Sequence, residues 1–319
     1  MLLIASPFYT APVFVGMQFN WLLLGLLLVQ VYYFYHAFPN ERWGIKALVY
    51  TLLLIDLVET GIGSWATYEM LVKNWGNSQV FFHVTWAAFV QPFTAGLTST
   101  IVQLFFVWRI LKLKGSVLIV RLICLLISLI SLAQGLCAMV NSIRLGQALA
   151  RTSDLDGAAG QLNTKIWLGG AVAADMLIAI TMSIILAAQR RSVPWAKTDS
   201  LITTLIIHAV ETGSITTIAA VLQLALFLSH PENFMHNAPL LILTKLYSNI
   251  VLATLNWRAE RKHHVFSESS NPSTGVNVAG QSFGLKRMPA SGDRSKTVTV
   301  EVHHGSETDL EQKRPGIDF

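Results

Sequence analysis

Several ionisable side chains stand near the middle of long apolar stretches: Asp56, Glu59, Asp175, His208, Glu211 and Lys245. A charge at the centre of a membrane span costs roughly 2.5–3.5 kcal/mol on insertion scales, so such groups are protonated, paired or turned toward a hydrated interior. Their spacing favours pairing or a shared site. Asp56 and Glu59 are three positions apart and share one helical face, as do His208 and Glu211. Thr204, His208, Glu211, Thr212 and Thr216 form one polar stripe; Lys245, Ser248, Asn249 and Asn256 form another. Groups of these types can exchange protons, form ion pairs or capture a small polar ligand. The candidate ligand-binding or intramembrane polar cluster is therefore Asp56, Glu59, Asp175, His208, Glu211, Lys245 and Asn249. Locks that fix helix register would use the same residues, and both readings stand at this point.

The elements that must position these groups are about seven apolar runs, near 16–37, 47–68, 84–108, 117–140, 165–188, 200–229 and 237–256. Each holds roughly 20 or more residues, enough to cross a hydrocarbon core about 30 Å thick as a helix. The expected fold class is all-α: a polytopic membrane protein with seven transmembrane helices in one bundle and a disordered C-terminal tail. Only Ser229 to His236 separates the last two runs, so these helices are expected to lie side by side and antiparallel. Glu211 is roughly 11 residues into one and Lys245 roughly 8 into the other, which at 1.5 Å per residue sets both near mid-membrane. Glu211 is thus the first expected partner of Lys245. Gly169, Gly170, Ala173 and Ala174 provide the small side chains for close helix contact just before Asp175. Gln30, Gln103, Gln134 and Gln223 read as hydrogen bonders between helices.

Composition agrees with this class. Of 319 residues, 53% are hydrophobic and 13% charged, against about 25% charged in a soluble domain. A formal net charge of +5 without a basic, aromatic-studded patch excludes a nucleic-acid partner. Cys124 and Cys137, the two cysteines, both fall in the fourth run, which excludes a disulfide-stapled ectodomain. His263-His264 and His303-His304 lack metal-ligand context, so no metal and no cofactor is expected. The chain carries no His-Glu-x-x-His or Gly-x-x-x-x-Gly-Lys-Ser/Thr sequence, and no enzyme is expected.

Three parts follow. Residues 1–15, with Pro7 and Pro12 and no Lys or Arg, read as an extended extracellular lead-in. Residues 16–257 form the transmembrane domain. Residues 258–319, rich in Ser, Gly, Asn, Lys and Glu, read as an unstructured cytosolic tail. Orientation follows from the basic residues: Arg42, Lys46, Arg109, Lys112, Lys114, Arg190, Arg191, Lys197, Arg258 and Arg261 gather on one side of the runs. By the positive-inside rule that side is cytosolic, with the N-terminus outside, and the plasma membrane is the favoured location.

The last two runs carry more specific wording. Val210-Glu211-Thr212-Gly213, Leu226-Phe227-Leu228-Ser229-His230-Pro231, His236 with Ala238-Pro239, Lys245-Leu246-Tyr247-Ser248-Asn249, and Leu255-Asn256 with Arg258 resemble a large fungal family of seven-helix integral membrane proteins. That family is defined by a C-terminal domain of unknown function, domain of unknown function 6534, which would cover about 171–258 here. Val29-Gln30-Val31-Tyr32, Trp75-Gly76-Asn77 and the segment from Val102 to Ile110 are similar to the rest of its pattern. The resemblance implies the architecture and supplies no substrate or catalytic residue. Function reads first as a receptor or sensor with its polar site among helices two, five, six and seven. A small-solute or proton-coupled transporter and a structural or assembly protein are the alternatives. The expected partners are the lipid bilayer, a small-molecule ligand and a cytosolic protein on the tail.

Overall fold

The computed structural model describes residues 7–75, 86–151, 158–191, 196–229 and 234–269. Seven long helices account for nearly all of them: α1 (Pro7–Ala37), α2 (Trp43–Tyr68), α3 (Trp86–Lys114), α4 (Leu118–Arg151), α5 (Ala158–Arg191), α6 (Ala196–Ser229) and α7 (Asn237–Ser269). One π-helical turn, Glu69–Lys73, ends α2, and one 3-10 turn, Phe234–His236, leads into α7. Consecutive helices pack on one another and α7 closes against α1, while α3 also touches α5 and α7 and so stands inside the ring.

Five of these helices hold a stretch long and apolar enough to cross a membrane: Thr10–Ala37, Phe89–Lys114, Leu118–Gln147, Gly160–Ala188 and Asn237–Arg258. Gly213–Ser229 is a shorter apolar stretch on α6. This is the architecture of a multi-pass membrane protein. Seven spans were the expectation; among the described residues α2 and α6 hold no stretch of that length and hydropathy. The outer surface agrees with an apolar solvent. On α4, Leu118, Leu122, Leu125, Leu129, Leu132 and Leu136 recur every three or four residues and are all exposed, the inverse of a helix that turns its polar face to water.

Two boundaries differ from expectation. The lead-in is helical from Pro7 onward. Pro7 occupies the first helical position, where no N–H is needed, and Pro12, one turn further in, removes a single hydrogen bond near an end. At the other terminus α7 runs past Trp257 to Ser269, so the start of the expected tail continues the helix; residues 270–319 lie outside the described ones.

The interior is built from apolar side chains with polar bridges between them. Leu27, Phe34, Val49, Leu52, Val102, Val251 and Leu252 unite α1, α2, α3 and α7. Ile110, Ile127, Met182 and Leu186 unite α3, α4 and α5. α1 and α7 run parallel, held by a ladder of side chain-to-carbonyl bonds: Asn20 Nδ2 donates to Leu241 O (3.0 Å), Asn249 Nδ2 to Leu23 O (3.1 Å) and Asn256 Nδ2 to Gln30 O (2.8 Å). Close contacts are made where a side chain is missing. A Cβ on Gly96 of α3 would run into the Ala138 Cβ of α4, and one on Gly170 of α5 would come within 2.9 Å of the Gln134 Cβ of α4. Gly25 on α1 meets nothing within 4 Å.

Gly96→Ala should therefore destabilise, because overpacking of about 1–3 kcal/mol outweighs a helix-propensity gain of at most about 1 kcal/mol. Gly25→Ala has only the gain. The yield of monodisperse protein after mild detergent extraction and heating should fall for the first and hold or rise for the second; equal behaviour would contradict the α3–α4 contact.

Candidate functional site

Lys245 stands near the middle of the apolar stretch Asn237–Arg258 of α7, with no exposure at all. A stem of four methylenes carries its ammonium away from the helix, so it reaches α2, where two carboxylates on one face await it. Nζ lies 2.9 Å from Asp56 Oδ1 and 3.1 Å from Glu59 Oε2, and it also donates to the Asp56 carbonyl oxygen at 2.9 Å. Three N–H donors meet three acceptors, which is the full capacity of an ammonium. Glu59 Oε1 accepts from Thr244 Oγ1 at 2.9 Å. Next to Glu59, Thr60 Oγ1 donates to Asn20 Oδ1 at 2.7 Å, tying α2 to the α1–α7 ladder. Asp56 Oδ2 and Ser248 Oγ have no hydrogen-bond partner. With all three groups ionised, the triad of two carboxylates and one ammonium carries one excess negative charge.

Lys245 is thus paired through α2. The expected first partner, Glu211, and the neighbouring His208 sit on α6, and their side chains lie outside the described residues. The expectation rested on a shared depth, and depth does not fix which helix faces which side of α7.

Asp175 belongs to a different network. It is 5% exposed and accepts from Gln103 Nε2 of α3 at 2.9 Å and from the Tyr247 hydroxyl of α7 at 2.6 Å. Gln103 Oε1 accepts in turn from Gln134 Nε2 of α4 at 3.3 Å, and Gln134 also donates to Ser99 Oγ at 3.0 Å. Among the described residues Asp175 has no cationic partner. The separation follows from helical geometry: Lys245 and Tyr247 are two positions apart, about 200° around the axis, so α7 turns one toward α2 and the other toward α3 and α5. Asn249 belongs to neither network; it donates to Leu23 O and to Lys245 O. Of the residues expected to share one cluster, the structure brings together Asp56, Glu59 and Lys245 and sets Asp175 apart.

A cavity of about 400 Å³ adjoins the second network, bounded by α1, α3, α5, α6 and α7. Its wall is mostly apolar, from Val29, Val102, Phe106, Ile178, Met182 and Ile250, and it includes Gln103, Asp175 and Tyr247. Arg109, Asn256 and Trp257 line it further toward the C-terminal ends of α3 and α7. The side-chain oxygens of Gln30 and Asn256, both of which line this cavity, are buried without a hydrogen-bond partner. Sequence reasoning placed Gln103 and Gln134 correctly as bridges between helices but missed Asn20, Thr244 and Tyr247. A lone Asn in an otherwise apolar run was the available signal for the first. Among the described residues no group of three or more His, Cys, Asp or Glu is placed to hold a metal ion.

Comparison with known proteins adds one finding. Residues 171–260 match the model of a family of unknown function, DUF6534. The match runs from mid-α5 through α7 and so contains Asp175, Lys245, Tyr247 and Asn256, whereas Asp56, Glu59 and Gln103 lie outside it. Neither the curated proteins nor the solved structures include a significant match to this chain.

Removing Lys245 leaves two carboxylates facing each other in a dry interior. Lys245→Met should lower stability by about 3–5 kcal/mol, the cost of orphaning a buried partner. Glu59→Gln, which leaves Lys245 paired with Asp56, should cost less, and Lys245→Met combined with Asp56→Asn and Glu59→Gln should recover much of the loss. Folded protein in membranes measures all three, and a triple variant no better than Lys245→Met would contradict the pairing.

Proposed function

We propose that the chain is a receptor-like membrane protein of seven spans, N-terminus outside and C-terminus cytosolic, that binds a small molecule in the cavity beside Asp175. The cavity carries this reading. Its volume of about 400 Å³ falls within the roughly 300–1,000 Å³ of small-ligand sites, which are likewise mostly apolar with a few placed polar groups. The parallel run of α1 and α7 supports an odd number of crossings, since an odd set brings the first and last spans through in the same direction. The asymmetry of Lys and Arg supports the orientation, and the wider resemblance to fungal seven-helix proteins supports the count. A binding role is favoured over an enzymatic one because the cavity is mostly apolar, as small-ligand sites are.

In this reading the Lys245 triad holds the bundle together while the cavity selects among conformations by differential affinity. The tail, with its Ser and Thr residues, is the surface offered to a cytosolic partner. A second reading, a proton-coupled transporter, is favoured by the excess carboxylate of the triad, which is neutral with one added proton. Proton flux into liposomes holding the purified protein would select it.

The test uses protein in nanodiscs and three probes of similar shape: phenylbutylamine, phenylbutanol and phenylbutyrate. At least one should raise Tm saturably, by the linkage of binding to stability, and Ala253→Trp, which puts a large side chain into the cavity wall, should abolish the rise. No saturable rise with any probe would overturn the reading. Protease added to sealed cells should spare an epitope at the C-terminus; digestion would reverse the orientation.

A further inference from the structure

The polar groups of the cavity are unequally used. Several of its donors have partners: Tyr247 donates to Asp175, Thr216 Oγ1 donates to Gly213 O, and Arg109 and Trp257 are each engaged within the protein. Several of its acceptors have capacity to spare. Each Asp175 oxygen takes one described hydrogen bond, where an ionised carboxylate offers about four lone-pair sites. Asn256 is more than nine-tenths buried, and its Oδ1 has no partner; its orientation is fixed because Nδ2 is spent on Gln30 O. Gln30 Oε1 is a second unpartnered acceptor in the same wall. An occupant that matches this wall brings hydrogen-bond donors.

Charge narrows the class. The carboxylate is oriented by two neutral donors, and among the described residues it lacks the cation that Asp56 and Glu59 have in Lys245. We propose that the cavity is a site for an elongated amphiphilic amine, its ammonium on Asp175, its apolar body along Val102, Phe106 and Met182, and any second donor group toward Asn256. Tyr247 and Asn256 are nine positions apart on α7, about 14 Å along the axis at 1.5 Å per residue, which sets the length such a molecule can span. Arg109 lies six positions beyond Gln103 on α3, about 9 Å along that helix, so the amine end belongs at Asp175 and not at the Arg109 end. This proposal rests on the cavity being a ligand site, as argued above, and specifies what the ligand is.

The experiment measures affinities of phenylbutylamine, phenylbutanol and phenylbutyrate for the full chain in nanodiscs, with and without Asp175→Asn. A charge-assisted bond to a buried carboxylate is worth a factor of about ten or more over a neutral contact. The amine should bind at least about tenfold tighter than the alcohol, with the acid weakest. In Asp175→Asn, which keeps the shape of the side chain, the amine's advantage should vanish while alcohol affinity holds. Amine and alcohol binding equally, both blocked by Ala253→Trp, would overturn the amine proposal and leave the cavity reading standing. An amine preference that survives Asp175→Asn would overturn it as well, since another group would be the anchor. Failure of all three probes would remove both readings. Should Asp175→Asn not fold, the wild-type ratio still decides the class, and the methyl resonance of Met182 decides the place. It should shift on titration with the amine, and an unmoved Met182 would put the amine elsewhere and end the proposal.

Discussion

A lysine ammonium with no solvent exposure has to find all its partners inside the protein, and that constraint organises this bundle. Lys245 can satisfy three N–H groups only where α2 presents Asp56 and Glu59 together, so α7 is held to one rotation and one height against α2. Taking three charged groups out of water is expensive, and buried ion pairs add little net stability compared with a well-packed apolar contact. What they add is intolerance of error: a shift of α7 by one residue would turn the ammonium some 100° away and leave two carboxylates unpaired. The rest of the α7 contacts inherit that register. Asn20, Asn249 and Asn256 find their carbonyls along α1, and Tyr247 arrives opposite Asp175.

The same helix therefore serves two unlike polar environments. Toward α2 the ammonium is enclosed by fixed counter-charges. Toward α3 and α5 the Tyr247 hydroxyl joins a chain of neutral side chains that begins at Gln134 and ends on Asp175. In the low-dielectric interior such a chain orients the carboxylate firmly, because each amide in it is held by the next. Gly170 makes the chain possible at its far end: with no side chain there, α5 approaches α4 closely enough for Gln134 to sit against its backbone.

Much of this arrangement was legible in the sequence. Apolar run length gives the helices, and the cost of mid-span charge gives the inward placement of Asp56, Glu59, Asp175 and Lys245, all of which are buried. Glu211 was put first as the partner of Lys245 because closeness along the chain was taken for closeness in space; among the described residues Lys245 pairs with Asp56 and Glu59. α6 precedes α7 and does pack on it, yet Lys245 points toward α2, nearly two hundred positions away in sequence. Azimuth is what periodicity alone cannot supply, since the polar positions on α7 fall on more than one face: Lys245 and Tyr247 diverge, while Asn249 and Asn256 face α1. The two ends were misjudged for a different reason. Pro7 and Pro12 read as helix breakers, but a proline in the first turns of a helix removes little that the helix would have used.

The two buried acidic sites show what separates a fixed contact from a receptive one. Both lie mid-bundle, both are nearly or fully buried, and both have a hydroxyl donor, Thr244 in one and Tyr247 in the other. They differ in the source of positive charge and in what adjoins them. Asp56 and Glu59 have a cation built into the chain and are closed in around it. Asp175 has only neutral donors among the described residues and borders a cavity in which the side-chain oxygens of Gln30 and Asn256 are buried without a partner. An interior carboxylate oriented by neutral donors, next to space of molecular size, leaves a demand for positive charge that the described residues do not meet. That demand, more than the number of charged residues in the spans, is what supports the proposal that the Asp175 cavity takes a ligand.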